Sequence, residues 1–163
     1  MRLTKQTNYA IRILMYCAAN VNSLSQVSEV AKAYDVSELF LFKILKILVK
    51  NELVKTVRGR GGGIMLNKDP EEITVAQVIR LTEESFAIAE CFENESISCP
   101  LINYCGLNTV LSKALNAFFA VLEKTTIADL QHPTFKEKLG IGCLLYTSPS
   151  PRDQRGSRMP SSA

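Results

Sequence analysis

The chain has 163 residues, 47% of them hydrophobic, which suits one domain, or a small domain with an appended dimerisation element, around a packed core. Its net charge of +3 hides a division: residues 1–68 hold eleven Lys/Arg against four Asp/Glu, residues 69–142 hold five against eleven, and residues 143–163 hold three against one. No apolar run reaches the length of a membrane span, and Arg2, Lys5 and Arg12 break up the first stretch, which excludes a signal peptide and points to a cytoplasmic protein with no membrane partner.

From Thr4 to Asn20 the apolar positions Ala10, Ile13, Leu14, Cys17, Ala18 and Val21 recur at steps of three and four. That spacing predicts one face of a helix, with Thr4 as its N-cap and Cys17 as a small core residue. Residues 26–34 predict a second, short helix through Val27, Val30, Ala31 and Tyr34. Asp35 and Val36 then make a turn, and Ser37 caps a third helix running to about Lys50. A short helix, a tight turn and a longer helix form a helix-turn-helix, whose second member lies in the major groove of DNA. Phe40, Leu41, Ile44, Leu45 and Leu48 share the inner face of that member. Glu38, Leu39, Phe42, Lys43, Lys46 and Lys50 share the outer one. Leu39 and Phe42 among lysines suit contact with thymine methyls or sugars; the competing reading turns Phe42 inward.

Leu53–Arg58 and Ile64–Leu66 are strand-like segments on either side of Arg58-Gly59-Arg60-Gly61-Gly62-Gly63, which predicts a two-strand wing. Glycines let the backbone approach a phosphate chain closely, and arginines there can enter a narrow minor groove. No Lys-Ser/Thr ending follows, so the run is not a nucleotide-binding loop. The basic half thereby looks like a polyanion-binding module and the acidic half like a sensing or assembly module, with unevenly solvated charge as the plainer reading.

Residues 69–84 predict another helix, with an acidic start at Asp69–Glu72 and Thr74 as a further cap. Periodicity lapses from Ser85 to Tyr104. It resumes through Leu107, Val110, Leu111, Ala114, Leu115, Phe118, Phe119, Val121 and Leu122 as a helix of about six turns. Its wide apolar face suits pairing with a second copy of the chain.

Five cysteines, an odd number, argue against a disulfide framework. Three of them, Cys91, Cys99 and Cys105, lie in the aperiodic stretch with seven and then five residues between them. Loop thiols at such gaps can converge on one metal centre. With no Cys-x-x-Cys pair and His132 as the one histidine, a zinc site is disfavoured. Three thiolates on a four-iron cluster would leave one iron exchangeable, which suits a sensor; three unrelated cysteines are the alternative.

The strings TKQTNYAIR (4–12), VSELFLFKIL (36–45), RGRGGG (58–63) and NAFFAVL (116–122), together with the three-cysteine loop, resemble the Rrf-type winged-helix regulators, the IscR/NsrR/RirA family, and most of all its rhizobial iron-regulator branch. The likeness spans residues 1 to about 131. It implies a homodimer that binds inverted-repeat, double-stranded operator DNA and represses iron-uptake genes while an iron–sulfur cluster is loaded. The cluster expected is 4Fe-4S, with 2Fe-2S as the alternative. It places the cluster ligands on Cys91, Cys99 and Cys105, and the DNA contacts on Ser37, Glu38, Leu39, Phe42, Lys43, Lys46, Lys50, Arg58, Gly59, Arg60, Gly61 and Gly62. Relatives draw a fourth ligand from an aspartate near the N-terminus or a histidine after the third cysteine. Here Asn8 and Asn108 stand in those places, leaving solvent, a small thiol, Glu90 or Glu93.

From Cys143 the sequence resembles the translation of a transposon-derived sequencing adapter, so residues 143–163 are expected to be non-native and Cys143 to have no role. The expected architecture is mainly α. It comprises a winged helix-turn-helix (1–68), a connecting helix (69–88), a cluster loop (89–106), a dimerisation helix (107–131) and a tail (132–163). The expected function is iron-responsive transcription regulation without enzymatic activity. Sensing of nitric oxide or of cluster supply is the alternative within the family, and a small iron–sulfur redox protein the alternative outside it.

Overall fold

Three helices begin at a threonine or serine whose hydroxyl takes an otherwise orphaned backbone N–H. In the computed structural model, which describes residues 2–21, 23–92, 99–100 and 104–141, α1 spans Lys5–Ala19, α2 Val27–Tyr34 and α3 Glu38–Lys50. These are followed by β1 (Val54–Val57), β2 (Gly63–Leu66), α4 (Val75–Thr82), a 3₁₀ turn (Glu90–Phe92), α5 (Gly106–Glu123) and α6 (Phe135–Lys138). Thr4, Ser37 and Thr74 accept from the N–H groups of Thr7, Phe40 and Gln77. Between α2 and α3 the turn is closed by Asp35 in the left-handed region (φ 49°), with the Val36 N–H donating to the Ala31 carbonyl at 3.0 Å.

The two strands pair antiparallel, Val54 opposite Leu66 and Val57 opposite Gly63. A third segment joins them: Ser25, between α1 and α2, exchanges two backbone hydrogen bonds with Ile64, at 2.8 and 2.9 Å. The bridge ties the wing's return strand to the helical core.

That core is built from Ala10, Ile13, Leu14 and Cys17 of α1, Val30 of α2, and Leu41, Ile44, Leu45 and Leu48 of α3. Leu53, Val54, Ile64, Ile73, Val78 and Ile127 complete it. Full burial of each large aliphatic side chain contributes about 1.5–3 kcal/mol. Phe40 is half-buried and meets Tyr9 edge-on at 5.6 Å. Phe42 stays outside, 45% exposed, because Leu41, Ile44, Leu45 and Leu48 already fill the space beneath α3.

Several expected boundaries move. Val21 is 58% exposed, since α1 ends at Ala19 and the chain turns away. The helix expected over 69–84 starts only at Val75. Asp69–Glu72 form a turn in which the Asp69 carboxylate accepts the Glu71 N–H at 3.1 Å. Ile73 is extended instead, because its backbone pairs with the chain beyond α5: the Ile127 N–H donates to the Ile73 carbonyl and the Val75 N–H to the Thr125 carbonyl, both at 2.9 Å. The same pairing ends α5 at Glu123, about five turns rather than six, and returns the chain to bury Ile127 completely.

Cys17 is a core residue, as its place on the α1 stripe suggested, and burial pushes its thiol up to about 12 against the pull of a hydrogen bond with Ser25. Burial also raises the Tyr34 phenol to about 12, with Arg12 opposing. Both groups keep their protons in the folded state past the pH at which they lose them in the unfolded chain. Their contribution is therefore complete below about pH 9 and lost as pH climbs towards 12. The unfolding free energy read from urea titrations should fall above pH 9 by up to about 1.4 kcal/mol per pH unit through Cys17, with Tyr34, being partly exposed, adding a smaller decline above pH 10, and Cys17→Ala should flatten the slope.

Candidate nucleic-acid interface and cysteine loop

The outer face of α3 carries Glu38, Leu39, Phe42, Lys43, Lys46, Val49 and Lys50, all exposed, Leu39 to 77%. Ser37, also exposed, caps its first turn. Among the described residues, Arg58 and Arg60 at the wing tip have no carboxylate partner, the ion pair among those residues being Arg80–Glu123. Gly59 and Gly61 have φ of 109° and 78°, a backbone that L side chains rarely adopt, and the Gly62 N–H donates to the Gly59 carbonyl at 2.9 Å. A Cβ on Gly62 would stand 2.3 Å from the Val57 carbonyl oxygen, so the turn is closed to larger residues. Between α3 and the wing runs a groove of about 690 Å³, walled by Phe42, Leu45, Val49, Val57 and Ile64 and edged by Lys46 and Lys50.

A second basic cleft was not anticipated as a site. Arg2, Lys5, Asn8, Tyr9 and Arg12 line it together with Val36, Ser37, Phe40 and a single acidic residue, Asp35. Arg12 lies over the rings of Tyr9 and Tyr34 at 5.0 and 5.6 Å. The signal was present in the sequence, since Lys5 and Arg12 are seven residues apart and so share a helix face.

The cysteines occupy the link between α4 and α5. Cys91 sits in the 3₁₀ turn, Cys105 immediately precedes α5, and Cys99 lies between them; all three are free thiols and half-buried. Residues 93–98 and 101–103, Glu93 among them, lie outside the described residues, as do 142–163 with Cys143. Among the described residues no three His, Cys, Asp or Glu side chains stand close enough to hold a metal ion. In donor chemistry the set suits sulfur-ligated iron: three thiols on one inter-helix segment, none tied into a disulfide. Of the positions considered for a fourth ligand, Asn8 and Glu90 are exposed, and Asn108 is half-buried with its Oδ1 accepting from the Ser112 hydroxyl at 3.2 Å.

The cysteine segment is coupled to the helix-turn-helix through α4. Phe86, just after α4, packs edge-on against Phe119 of α5 at 4.9 Å, and Arg80 covers Phe119 at 4.6 Å while pairing with Glu123 at 2.6 Å. At the same end of the link, the buried Thr82 hydroxyl donates to the Val78 carbonyl and lies 2.8 Å from the Thr7 hydroxyl of α1. Glu83 accepts the Thr4 N–H at 2.7 Å. Burial pushes the Glu83 carboxyl up, but the hydrogen bonds from Thr7 and Thr4 outweigh it and hold the group below the usual carboxylate range. Along α5 no residue is buried, and Leu107, Val110 and Val121 are more than half exposed.

Comparison with known proteins agrees with this geometry. Residues 3–133 match the family described as "Rrf2: Iron-dependent Transcriptional regulator". The chain is 62% identical over 130 residues to Protein aau3 of Rhizobium meliloti (strain 1021), covering 80% of this chain and 84% of that protein. It is 43% identical over 131 residues to the HTH-type transcriptional regulator NsrR of Bacillus subtilis (strain 168), covering 80% and 90%. Its fold is shared with CymR, the global cysteine regulator of B. subtilis (TM-score 0.67, 24% identity, 80% of this chain and 95% of that one). T. potens IscR shares it too (TM-score 0.64, 24% identity, 79% and 85%). A mainly helical chain with a two-strand antiparallel wing, matched over most of its length, belongs to the Rrf2 family of transcriptional regulators, which are not enzymes.

Proposed function

We propose that this chain is a homodimeric, iron-responsive repressor that grips an inverted-repeat operator with α3 and the wing and carries an iron–sulfur cluster, 4Fe-4S, on Cys91, Cys99 and Cys105. The observation that carries the reading is the joining of two things on one chain. A basic surface on α3 and the wing, with no carboxylate partner among the described residues, connects to a segment of three free thiols through the hydrogen-bonded α4–α1 contact. Residues 1–68 supply the DNA-binding surface, 69–88 the connection, 89–106 the cluster loop and 107–131 the dimer contact, where the exposed apolar side chains of α5 meet those of a second copy.

A bound cluster would supply iron whose retention or loss reports iron supply. The chain's own residues carry the consequence. Thr82 and Glu83 hold the N-terminal turn of α1 through Thr7 and Thr4, and Tyr9 of α1 packs on Phe40 of α3. A displacement of the segment after Glu83 therefore acts on the helix that supports the groove-reading face. The same displacement reaches α5 through Phe86 and Phe119 and would change the spacing of two recognition helices in a dimer.

The test is anaerobic operator binding by loaded and metal-free protein, using a duplex selected from a random library; equal affinity of the two forms sinks the reading. Cys99→Ala should abolish the visible absorbance of anaerobically purified protein, and retained colour would remove that residue from the ligand set. Likeness to NsrR favours a second reading in which nitric oxide is the signal. Titrating the bound complex with nitric oxide, against slow chelation of iron, separates the two.

A further inference from the structure

We infer that Leu39 and Phe42 are specificity-determining residues that read thymine C5-methyl groups in the major groove. The inference rests on the proposal that α3 and the wing bind duplex DNA. A surface built only to hold phosphates needs cations. The outer face of α3 has them in Lys43, Lys46 and Lys50, yet it also exposes Leu39 to 77% and Phe42 to 45%. Leu39 shares its face with Phe42, Lys43, Lys46 and Lys50, at three, four, seven and eleven residues further on.

An apolar side chain ringed by ammonium groups is unfavourable in water and gains nothing from a phosphate oxygen. What it requires is an apolar group embedded in a polyanion. On the floor of the major groove that group is the thymine methyl. Position separates Leu39 from its neighbours. It lies on the first turn of α3, the part of a recognition helix that reaches base edges. Phe42 stands one turn later at the mouth of the groove between α3 and the wing. Val49, Val57, Lys46 and Lys50 continue that groove and suit the sugar–phosphate strand. Leu39 is free of the core and Phe42 stands outward, so both present apolar surface without rearranging the helix.

The experiment uses the full chain purified anaerobically and an operator selected from random duplexes. Each thymine of the operator is then replaced in turn by uracil, which removes the methyl and leaves every hydrogen-bonding group in place. Wild-type protein should bind roughly fourfold more weakly for each contacted methyl lost, at symmetric positions of the two half-sites. In Leu39→Ala the penalty should vanish at one step and in Phe42→Ala at its neighbour, whereas Lys50→Ala should weaken thymine and uracil duplexes alike. If a selected operator tolerates uracil at every position, or if both alanine variants keep the full methyl penalty, the inference fails while DNA binding stands. Failure to select any duplex, with or without the cluster, overturns both. Should Leu39→Asp or Phe42→Asp break a dimer in the absence of DNA, the face belongs to a second copy of the chain and the inference falls.

Discussion

Operator affinity should drop by roughly a thousandfold or more when salt is raised from about 50 to about 200 mM. Lys43, Lys46, Lys50, Arg58 and Arg60 are exposed and have no carboxylate partner among the described residues. Each is therefore available to displace a counterion from a phosphate, and a dimer presents the set twice. If all engage, log affinity against log salt should fall with a slope near −9. Arg60→Ala should weaken binding to every sequence and make the slope shallower by about two per dimer, because a wing arginine on phosphate carries no base information. Anisotropy titrations at four or five salt concentrations measure both quantities. An unchanged affinity and slope in Arg60→Ala would remove the wing from the mechanism.

Replacing Leu48 by alanine should cost about 3 kcal/mol of folding stability, within a usual range of about 2–5. Leu48 is 0% exposed on the inner face of α3, and its carbonyl accepts the Leu53 N–H that starts the wing. Truncation removes apolar contact and leaves a cavity that the surrounding rigid helices collapse into only partly. Val49→Ala, one residue on and 37% exposed, should change stability by well under half as much. Urea denaturation at one fixed protein concentration reads the difference, since the proposed dimer would make the midpoint depend on concentration. Equal losses in the two variants would mean that α3 presents a different face to the core.

The contrast between these neighbouring positions shows which features could be read from the chain in one dimension. Leu41, Ile44, Leu45 and Leu48 repeat with the period of a helix, and Thr4, Ser37 and Thr74 sit where a cap must sit, so α1, α3 and the cap that opens α4 were legible. Wing chemistry was equally plain in Arg58–Gly63, because few structures other than a tight, exposed turn use such a run. Phe42 was not decidable in this way. Periodicity allows it at the edge of either face, and its outward position follows from how completely its neighbours fill the core.

Other features escaped because their partners are remote. Ser25 bears no strand signature, yet it pairs with Ile64, thirty-nine residues away in sequence. Asp69–Ile73 looks like the start of a helix by composition, but its backbone groups go instead to the chain beyond α5. Arg80 and Phe119 meet across two helices, and Glu83 closes on Thr4 across most of the amino-terminal half. In the cysteine segment the residue types and gaps were readable, and the donors suit iron, whereas their mutual placement depends on chain between them that has no period to read.

By itself the amino-acid sequence determined the three helices of the helix-turn-helix, which side of the third faces inward, where the wing turns and which thiols are available, because caps, periods and glycines act over a few neighbouring residues. Only the tertiary structure decided how α4 is fastened to α1, where the chain after α5 returns, and that Phe42 stands in solvent rather than turning inward. Those outcomes depend on hydrogen bonds and packed volumes shared between residues tens of positions apart, which leave no mark on local pattern.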